Sequence, residues 1–155
     1  MALSATQGRR SAITDSKGSF GIQALEPGKY TVILEPAAAA GLISFMMFSF
    51  DARQADEGRS FLAKKGGGNR IGEQVLGEKA EIFSDPAHPL APTLAFDGGG
   101  LPLTRTSWVQ KGVWKDLIYS RFWAQKQNRE PTGGPANLIM EGGSATMADL
   151  IAGTE

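Results

Sequence analysis

The sequence contains no cysteine, and this absence excludes several kinds of site at once. Without a thiol the chain has no disulfide framework, no cysteine nucleophile and no thiolate metal site. It has one histidine, His88, and a single imidazole cannot build a zinc site without carboxylate or thiolate partners at suitable spacing. We therefore predict that the chain has no complete catalytic constellation of its own: no catalytic, cofactor-binding or metal-binding residue is assigned.

Net charge and long apolar runs are lacking as well. The 16 basic and 16 acidic residues cancel, whereas nucleic-acid binding needs a basic excess. The longest apolar block, Ala37–Phe50, falls short of the roughly 18 residues that span a bilayer. The first residues, Met1–Arg10, lack the charged-then-apolar order of a signal peptide. We expect a cytoplasmic protein that binds neither nucleic acid nor membrane.

Glycine, by contrast, is abundant, with 20 residues in 155, and it clusters at probable turns. Such punctuation favours a strand-rich fold with tight connections. Short β-branched and aromatic runs predict strands, and two of them flank Lys111-Gly112 as in a hairpin. The predicted strands are Tyr30–Leu34, Lys79–Ser84, Leu103–Gln110, Val113–Tyr119 and Asn137–Met140.

One long helix is predicted over Ala37–Phe50, directly after Pro36. It is apolar on nearly every side, which favours a buried core helix; a partner-binding or membrane-surface helix is the alternative. Shorter helices are expected within Asp51–Lys65, followed there by a loop, over Ser120–Gln127 with Ser120 as N-cap, and over Ala145–Ala152 with Ser144 as cap. The fold class is therefore α+β: an antiparallel, hairpin-rich sheet with one long buried helix. We expect residues 1–24 to be a poorly ordered lead-in and 25–155 to be the domain.

Several motifs have both a functional and a plain structural explanation. The triple glycine Gly66–Gly68 lacks the lysine and hydroxyl residue of a phosphate-binding loop. The long loop 87–102 contains Gly98–Gly100 and is either a wide turn or a mobile lid. His88 is expected to be a solvated loop histidine, although a carboxylate could orient it for acid–base work.

The glutamates and the tryptophans also have both a structural and a functional explanation. Glu73, Glu78 and Glu81 are expected to be solvated charges, because nothing in the sequence brings two of them together. The tryptophans Trp108, Trp114 and Trp123 favour core packing, with an exposed peptide-binding or dimer surface as the alternative.

An ordered series of short stretches resembles one family, the TldD/PmbA proteins or "modulator of DNA gyrase" peptidases. The resemblance rests on the order of these stretches, and it covers the chain from about Leu25 to its end. The stretches are Leu25–Pro36, Gly58–Leu62, Gly77–Lys79, Ser84–Pro86, Phe96–Pro102, Lys111–Leu117, Tyr119–Arg121, Pro131–Gly133 and Asn137–Gly143. Because family members have several hundred residues, the resemblance implies a partial domain, truncated at the C-terminus.

Active members of the family are metallopeptidases, and their zinc is held by a helix carrying His-Glu-x-x-x-His and by a later cysteine. The helix that matches by position is Ala37–Phe50, which offers Leu42–Phe48 without histidine or glutamate. The cysteine would lie beyond Glu155. No family ligand carries over, so no cofactor is expected in this chain, and it resembles the zinc-less subunits that pair with a metal-bearing partner.

The function implied is that of a metallopeptidase-related protein in proteolysis or peptide processing, a zinc-less subunit or fragment not active alone. Its expected partners are a peptide substrate and a TldD-type subunit, in a homo- or hetero-oligomer. The alternative is a non-enzymatic module for oligomerisation or peptide binding, using the hairpin Leu103–Tyr119 and the apolar helix. A metal-independent enzyme centred on His88 ranks last.

Overall fold

The computed structural model describes residues 2–4, 8–10, 29 and 31–154. The chain divides into two units, one formed by Met1–Ala39 with Gly143–Glu155 and the other by Ala40–Gly142. Most of the expected lead-in, residues 1–24, lies outside the described residues, although two short strands fall within it.

The first unit contains a small antiparallel sheet of three strands in the order β2-β1-β3. They are β1 (Ala2–Ser4), β2 (Gly8–Arg10) and β3 (Thr31–Val32). The predicted strand Tyr30–Leu34 is therefore confirmed only over its central residues, and Tyr30 lies outside the described residues.

The same unit ends in the helix α4 (Met147–Ala152), whose cap differs from the prediction. Thr146 and not Ser144 is the N-cap: its hydroxyl accepts a hydrogen bond from the Asp149 amide. The Asp149 carboxylate accepts one in return from the Thr146 amide, at 2.8 Å. The expected Ser144 cap is wrong because only Thr146 has an acidic residue three positions later to complete this reciprocal pair.

The second unit is built on a four-stranded sheet in the order β6-β5-β4-β7, with every neighbouring pair antiparallel. The predicted fold class is confirmed by this sheet and its few short helices, but the strands are shorter than predicted. The strands are β4 (Ile82–Ser84), β5 (Thr106–Gln110), β6 (Val113–Trp114) and β7 (Ile139–Met140). β6 falls furthest short of its predicted length, covering two residues, although the Lys115 amide still donates to the Trp108 carbonyl in the same register, at 2.8 Å.

The hairpin between β5 and β6 turns at Lys111-Gly112, as predicted. Both residues have positive φ, 50° and 73°, and the two-residue loop matches the primed turns that suit the twist of paired strands. A side chain at Gly112 would also collide with the carbonyl oxygens of Leu76 and Gly77. Glycine is thus required there by both conformation and space.

Two short helices begin after a residue whose side chain caps them. Helix α2 (Ala52–Asp56) starts after Asp51, whose carboxylate accepts a hydrogen bond from the Gln54 amide at 2.7 Å. Helix α3 (Arg121–Lys126) starts after Ser120, whose hydroxyl accepts from Trp123 at 3.3 Å. The prediction of Ser120 as N-cap is confirmed.

The core of the second unit is centred on Phe50, between two tryptophans of the hairpin. Its ring lies 5.2 Å from that of Trp108 and 5.0 Å from that of Trp114, centroid to centroid, and all three side chains are fully buried. Trp108 donates its indole N–H to Ser84 Oγ at 3.0 Å, and Trp114 donates to the Asp116 carbonyl at 2.7 Å. Burial of an indole without a partner for its N–H would be unfavourable, and both partners are present.

The long helix α1 (Pro36–Met46), followed by a 3₁₀ turn (Met47–Ser49), corrects the prediction of a buried helix. None of its residues is buried. Ile43 and Met46, one turn apart, pack against the core, whereas Leu42 and Phe45 keep 59% and 73% of their surface exposed. Every face of the helix carries apolar residues, but only the face with Ile43 and Met46 packs against the core.

Candidate functional site

Helix α1 is the element in which the resemblance places a zinc site. The α-helix begins at Pro36, which lacks the amide proton that a first-turn residue does not need, and continues through four alanines. Ser44 has the only side-chain oxygen in it, and that hydroxyl donates to the Ala40 carbonyl at 2.9 Å.

The donor set of this helix does not fit zinc. Zinc in proteins is bound by thiolate, imidazole or carboxylate, whereas the atoms here are one hydroxyl and the thioethers of Met46 and Met47. Across the described part of the chain, no group of three or more His, Asp or Glu side chains is arranged to hold a metal ion.

His88 lies in the loop that follows β4, half-buried rather than fully solvated. Its ring meets the edge of Phe83 at 6.3 Å between centroids, and Arg105 stacks over Phe83 at 3.9 Å. The Nδ1 atom is shielded from solvent and has no hydrogen-bond partner among the described residues. Within the described ranges no carboxylate is hydrogen-bonded to this imidazole, so the arrangement there lacks the second member of an acid–base pair.

The three glutamates are not brought together. Glu73 forms ion pairs with Lys64 at 3.2 Å and Arg70 at 2.9 Å, and Glu81 accepts the Lys111 amide at 2.8 Å. The hydrogen bond from Arg70, with that from Lys64, holds the pKa of Glu73 below its usual range. Glu73 therefore remains a carboxylate that neutralises its two cations rather than a proton donor.

The glycine-rich loop beside these residues is not a phosphate cradle. All three of Gly66–Gly68 have positive φ, and the loop is closed by a hydrogen bond from the Lys64 amide to the Gly68 carbonyl at 3.0 Å. Glu73 occupies the same shallow surface as Lys64 and Arg70. An anion would meet that carboxylate, so the plain structural explanation of the motif holds.

The long loop 87–102 is fastened to the sheet by Asn137, which precedes β7. Its amide oxygen accepts from the Asp85 amide at 2.9 Å, and its amide nitrogen donates to the carbonyls of Asp85 and Ala91 at 2.7 and 2.6 Å. Three hydrogen bonds from one side chain hold both ends of the turn over residues 85–91. Sequence reasoning missed this residue because its partners lie 46 to 52 positions away.

Asp97 organises the other end of the loop. Its carboxylate accepts hydrogen bonds from the amides of Gly99 and Leu101, both at 2.9 Å, and Arg121 donates to the Gly99 carbonyl. The amide of Leu101, followed by that of Gly99, lowers the pKa of Asp97. The Asp-Gly-Gly-Gly sequence marked the position, since aspartate bonds to amides ahead of it in turns and glycine permits the backbone to follow.

A cleft of about 160 Å³ lies at one end of the sheet, lined by Pro86 and Pro102 at the two ends of this loop and by the segments beyond it. One wall comes from the segment 102–106 and the other from the segment 131–137. Four hydroxyl residues and three prolines contribute to its lining, together with Asn137, and none of the lining residues is charged or aromatic. The hydroxyl residues are Ser84, Thr104, Thr106 and Thr132.

Two predictions about aromatic residues are now decided. Trp108 and Trp114 are core residues, as expected. Trp123, in α3, is half-buried, and its indole N–H donates to Asp56 at 2.7 Å. Asp56 also accepts from Asn69 at 2.7 Å, so this carboxylate ties α2, the glycine-rich loop and α3 together.

Residues 27–155 match the model of the PmbA/TldA metallopeptidase C-terminal domain. The chain belongs to the PmbA/TldD family. An uncharacterized protein of Methanocaldococcus jannaschii is 32% identical over 107 residues, covering 68% of this chain and 24% of that protein.

Solved structures show the same fold. A structure described as a candidate modulator of DNA gyrase from Bacteroides thetaiotaomicron superposes with a TM-score of 0.64 at 26% identity, covering 78% of this chain and 27% of that one. Its counterpart from Thermotoga maritima gives 0.60 at 28%, covering 71% and 27%. TldE from Thermococcus kodakarensis gives 0.59 at 24%, covering 74% and 28%, and supports the fold alone.

The chain thus spans about a quarter of the length of the relatives it matches. It is metallopeptidase-related by family. In the part of the chain that the structure describes, no helix is both long enough and apolar enough to cross a membrane.

Proposed function

We propose that this chain serves proteolysis or peptide processing as a zinc-less member of the PmbA/TldD family, which binds peptide but does not cut it. The observation that carries the proposal is the chemistry of α1. The helix offers one hydroxyl, already bonded within the helix, where the resemblance places imidazole and carboxylate. Without such ligands there is no metal-activated water to attack a peptide bond.

The remaining polar groups support binding rather than cleavage. His88 has no orienting carboxylate, and Glu73 is held as an anion by two cations. A cleft lined by hydroxyl groups, by contrast, is available at the end of the sheet. The proposed role therefore needs a partner that supplies the metal, and a TldD-type subunit is the partner that the family suggests.

Incubation of the purified chain with an unstructured peptide and zinc tests the proposal, with mass spectrometry to detect both fragments and complexes. The expected result is a complex with intact peptide and no fragments beyond those of a protein-free control. Cleavage by the chain alone would contradict the proposal, and so would the absence of any peptide binding.

A second candidate function, an oligomerisation module, is favoured by the exposed apolar face of α1 and of the 3₁₀ turn that follows it. Leu42, Phe45 and Phe48 are 59%, 73% and 76% exposed, and the rings of Phe45 and Phe48 lie 6.5 Å apart. No residue from Pro36 to Phe50 is charged, so a related subunit with an apolar face would meet no unpaired charge. A large exposed apolar patch usually marks a site at which a protein associates with a partner.

Analytical ultracentrifugation tests this second function by measuring whether the chain associates. Wild-type protein is expected to associate with itself or with a TldD-type subunit, and Phe45→Glu to remain monomeric with an unchanged circular dichroism spectrum. Phe122→Glu, at an exposed aromatic position on α3, is the matched control and should associate as the wild type does. Association that persists in Phe45→Glu would place the contact elsewhere.

A further inference from the structure

The residues that line the cleft between the segments 102–106 and 131–137 favour some classes of ligand over others. No charged side chain lines it, which disfavours phosphate or another anion. It has no aromatic face on which a nucleobase could stack, and no carboxylate or imidazole to hold a metal. What lines it is hydroxyl, amide and main-chain groups between prolines.

Ser84 is the most deeply placed of these polar groups. It is 5% exposed, and its hydroxyl accepts the indole N–H of Trp108 at 3.0 Å. A hydroxyl that accepts one hydrogen bond still has a proton to donate. The cleft therefore offers a buried donor whose orientation is fixed by a core residue.

The opposite wall brings main chain close to the cleft. A Cβ at Gly133 would lie 2.7 Å from Leu103 Cδ2 and 3.3 Å from the Pro102 carbonyl oxygen, so a larger residue there would require the Leu103 side chain to shift. In the described structure, no hydrogen bond joins the 131–137 wall to the 102–106 wall. Asn137, in the 131–137 wall, donates instead to the carbonyls of Asp85 and Ala91, and Asp97 accepts from the Leu101 amide, next to the 102–106 wall.

We propose that this cleft binds a small, uncharged residue of an extended peptide through its main-chain amide groups. Peptide main chain supplies the neutral donors and acceptors that hydroxyl and main-chain walls can pair with. A volume of about 160 Å³ equals the liquid share of roughly five waters, which leaves room for a small or medium-sized uncharged residue and excludes one as large as tryptophan. The ligand class rests on the proposed role in peptide processing; the location and the preference for small residues rest on the cleft.

The test is a nuclear magnetic resonance titration with capped tripeptides. Acetyl-Ala-Gly-Ala-amide is expected to shift the Trp108 indole N–H signal, because that N–H bonds to Ser84. The Trp114 indole, bonded to the Asp116 carbonyl, should stay in place. The same peptide with a central lysine or tryptophan should bind at least tenfold more weakly. Equal affinity for all three peptides would overturn the preference for small residues.

Two variants locate the binding. Ala136→Leu fills the cleft from an exposed lining position and should abolish the Trp108 shift. Ala148→Leu, at an exposed position on α4 outside the lining, should leave it unchanged. Peptide binding that survives Ala136→Leu would overturn the cleft proposal while leaving the proposed function standing. Loss of all peptide binding in wild type would overturn both.

Discussion

Phe48 and Phe50 lie two residues apart at the end of one apolar segment, yet Phe50 is 0% exposed and Phe48 is 76% exposed. Phe50 packs between the two tryptophans of the hairpin, whereas Phe48 contacts Phe45 at the outer face of the α1 segment. The two regions have similar composition. The difference shows that an apolar side chain is buried only where another part of the protein packs against it. The apolar sequence alone does not say which side chains have such a neighbour.

Replacement of each phenylalanine by alanine tests this difference in packing, and it has the largest expected effect. Phe50→Ala should lower the free energy of unfolding by about 3–5 kcal/mol, because it removes a ring from a closed core. Phe48→Ala is the matched control and should change it by less than about 0.5 kcal/mol. Urea denaturation followed by tryptophan fluorescence measures both. Similar losses at the two positions would mean that the α1 face is packed.

A second comparison concerns glycines with positive φ in tight and open surroundings. Gly112→Ala should destabilise by about 2–3 kcal/mol, since strain at φ 73° adds to a clash with two carbonyl oxygens. Gly66→Ala has φ 94° but nothing within 4 Å of the new Cβ, so strain alone, about 1 kcal/mol, is expected. Thermal unfolding of the two variants ranks them. A smaller effect at Gly112 than at Gly66 would contradict the hairpin geometry.

Two serines sharpen the difference between core and helix. Ser84→Ala leaves the buried Trp108 indole N–H without its acceptor and should destabilise by about 1–2 kcal/mol. Ser44→Ala, on the exposed side of α1, should be neutral or stabilising by up to about 0.5 kcal/mol, because alanine is the better helix former. Chemical denaturation again gives both values. If Ser44→Ala lowered the free energy of unfolding as much as Ser84→Ala, the Ser44 hydroxyl would have to make a stabilising contact outside α1.

The smallest expected effect is on the acid side of the stability profile. The pKa of Asp97 is lowered in the folded chain, chiefly by the Leu101 amide. Its contribution to stability is therefore present above the pKa of the unfolded chain and is lost as pH falls through the lower, folded pKa. Carboxyl-detected nuclear magnetic resonance should give a lower titration midpoint for Asp97 in the folded protein than in urea. A midpoint equal to or above the unfolded one would remove this contribution.

Local chemistry made part of the fold predictable. The positive-φ turn at Lys111-Gly112 and the N-cap Ser120 depend on residues within four positions, and both are confirmed. The prediction of Ser144 as the cap of α4 is wrong, because Thr146 is the residue that forms the reciprocal pair with Asp149. The family resemblance, carried by an ordered series of short stretches, is confirmed over residues 27–155.

The remainder depends on distant contacts that no local pattern encodes. Burial of α1 was predicted from its own composition, but only Ile43 and Met46 face the core. Asn137 and Asp56 were missed because each holds segments far apart in sequence, and a single polar residue gives no sign of its partners. The absence of zinc ligands in α1, by contrast, follows from residue identity alone and needed no structure.

The most direct measurement is the zinc content of the purified chain after incubation with zinc and removal of free metal, by mass spectrometry of the element. The account predicts much less than one zinc per chain, and the same value for a variant with Ser44→Ala, Met46→Leu and Met47→Leu. One zinc per wild-type chain, lost in that variant, would show that α1 binds metal and would contradict the account.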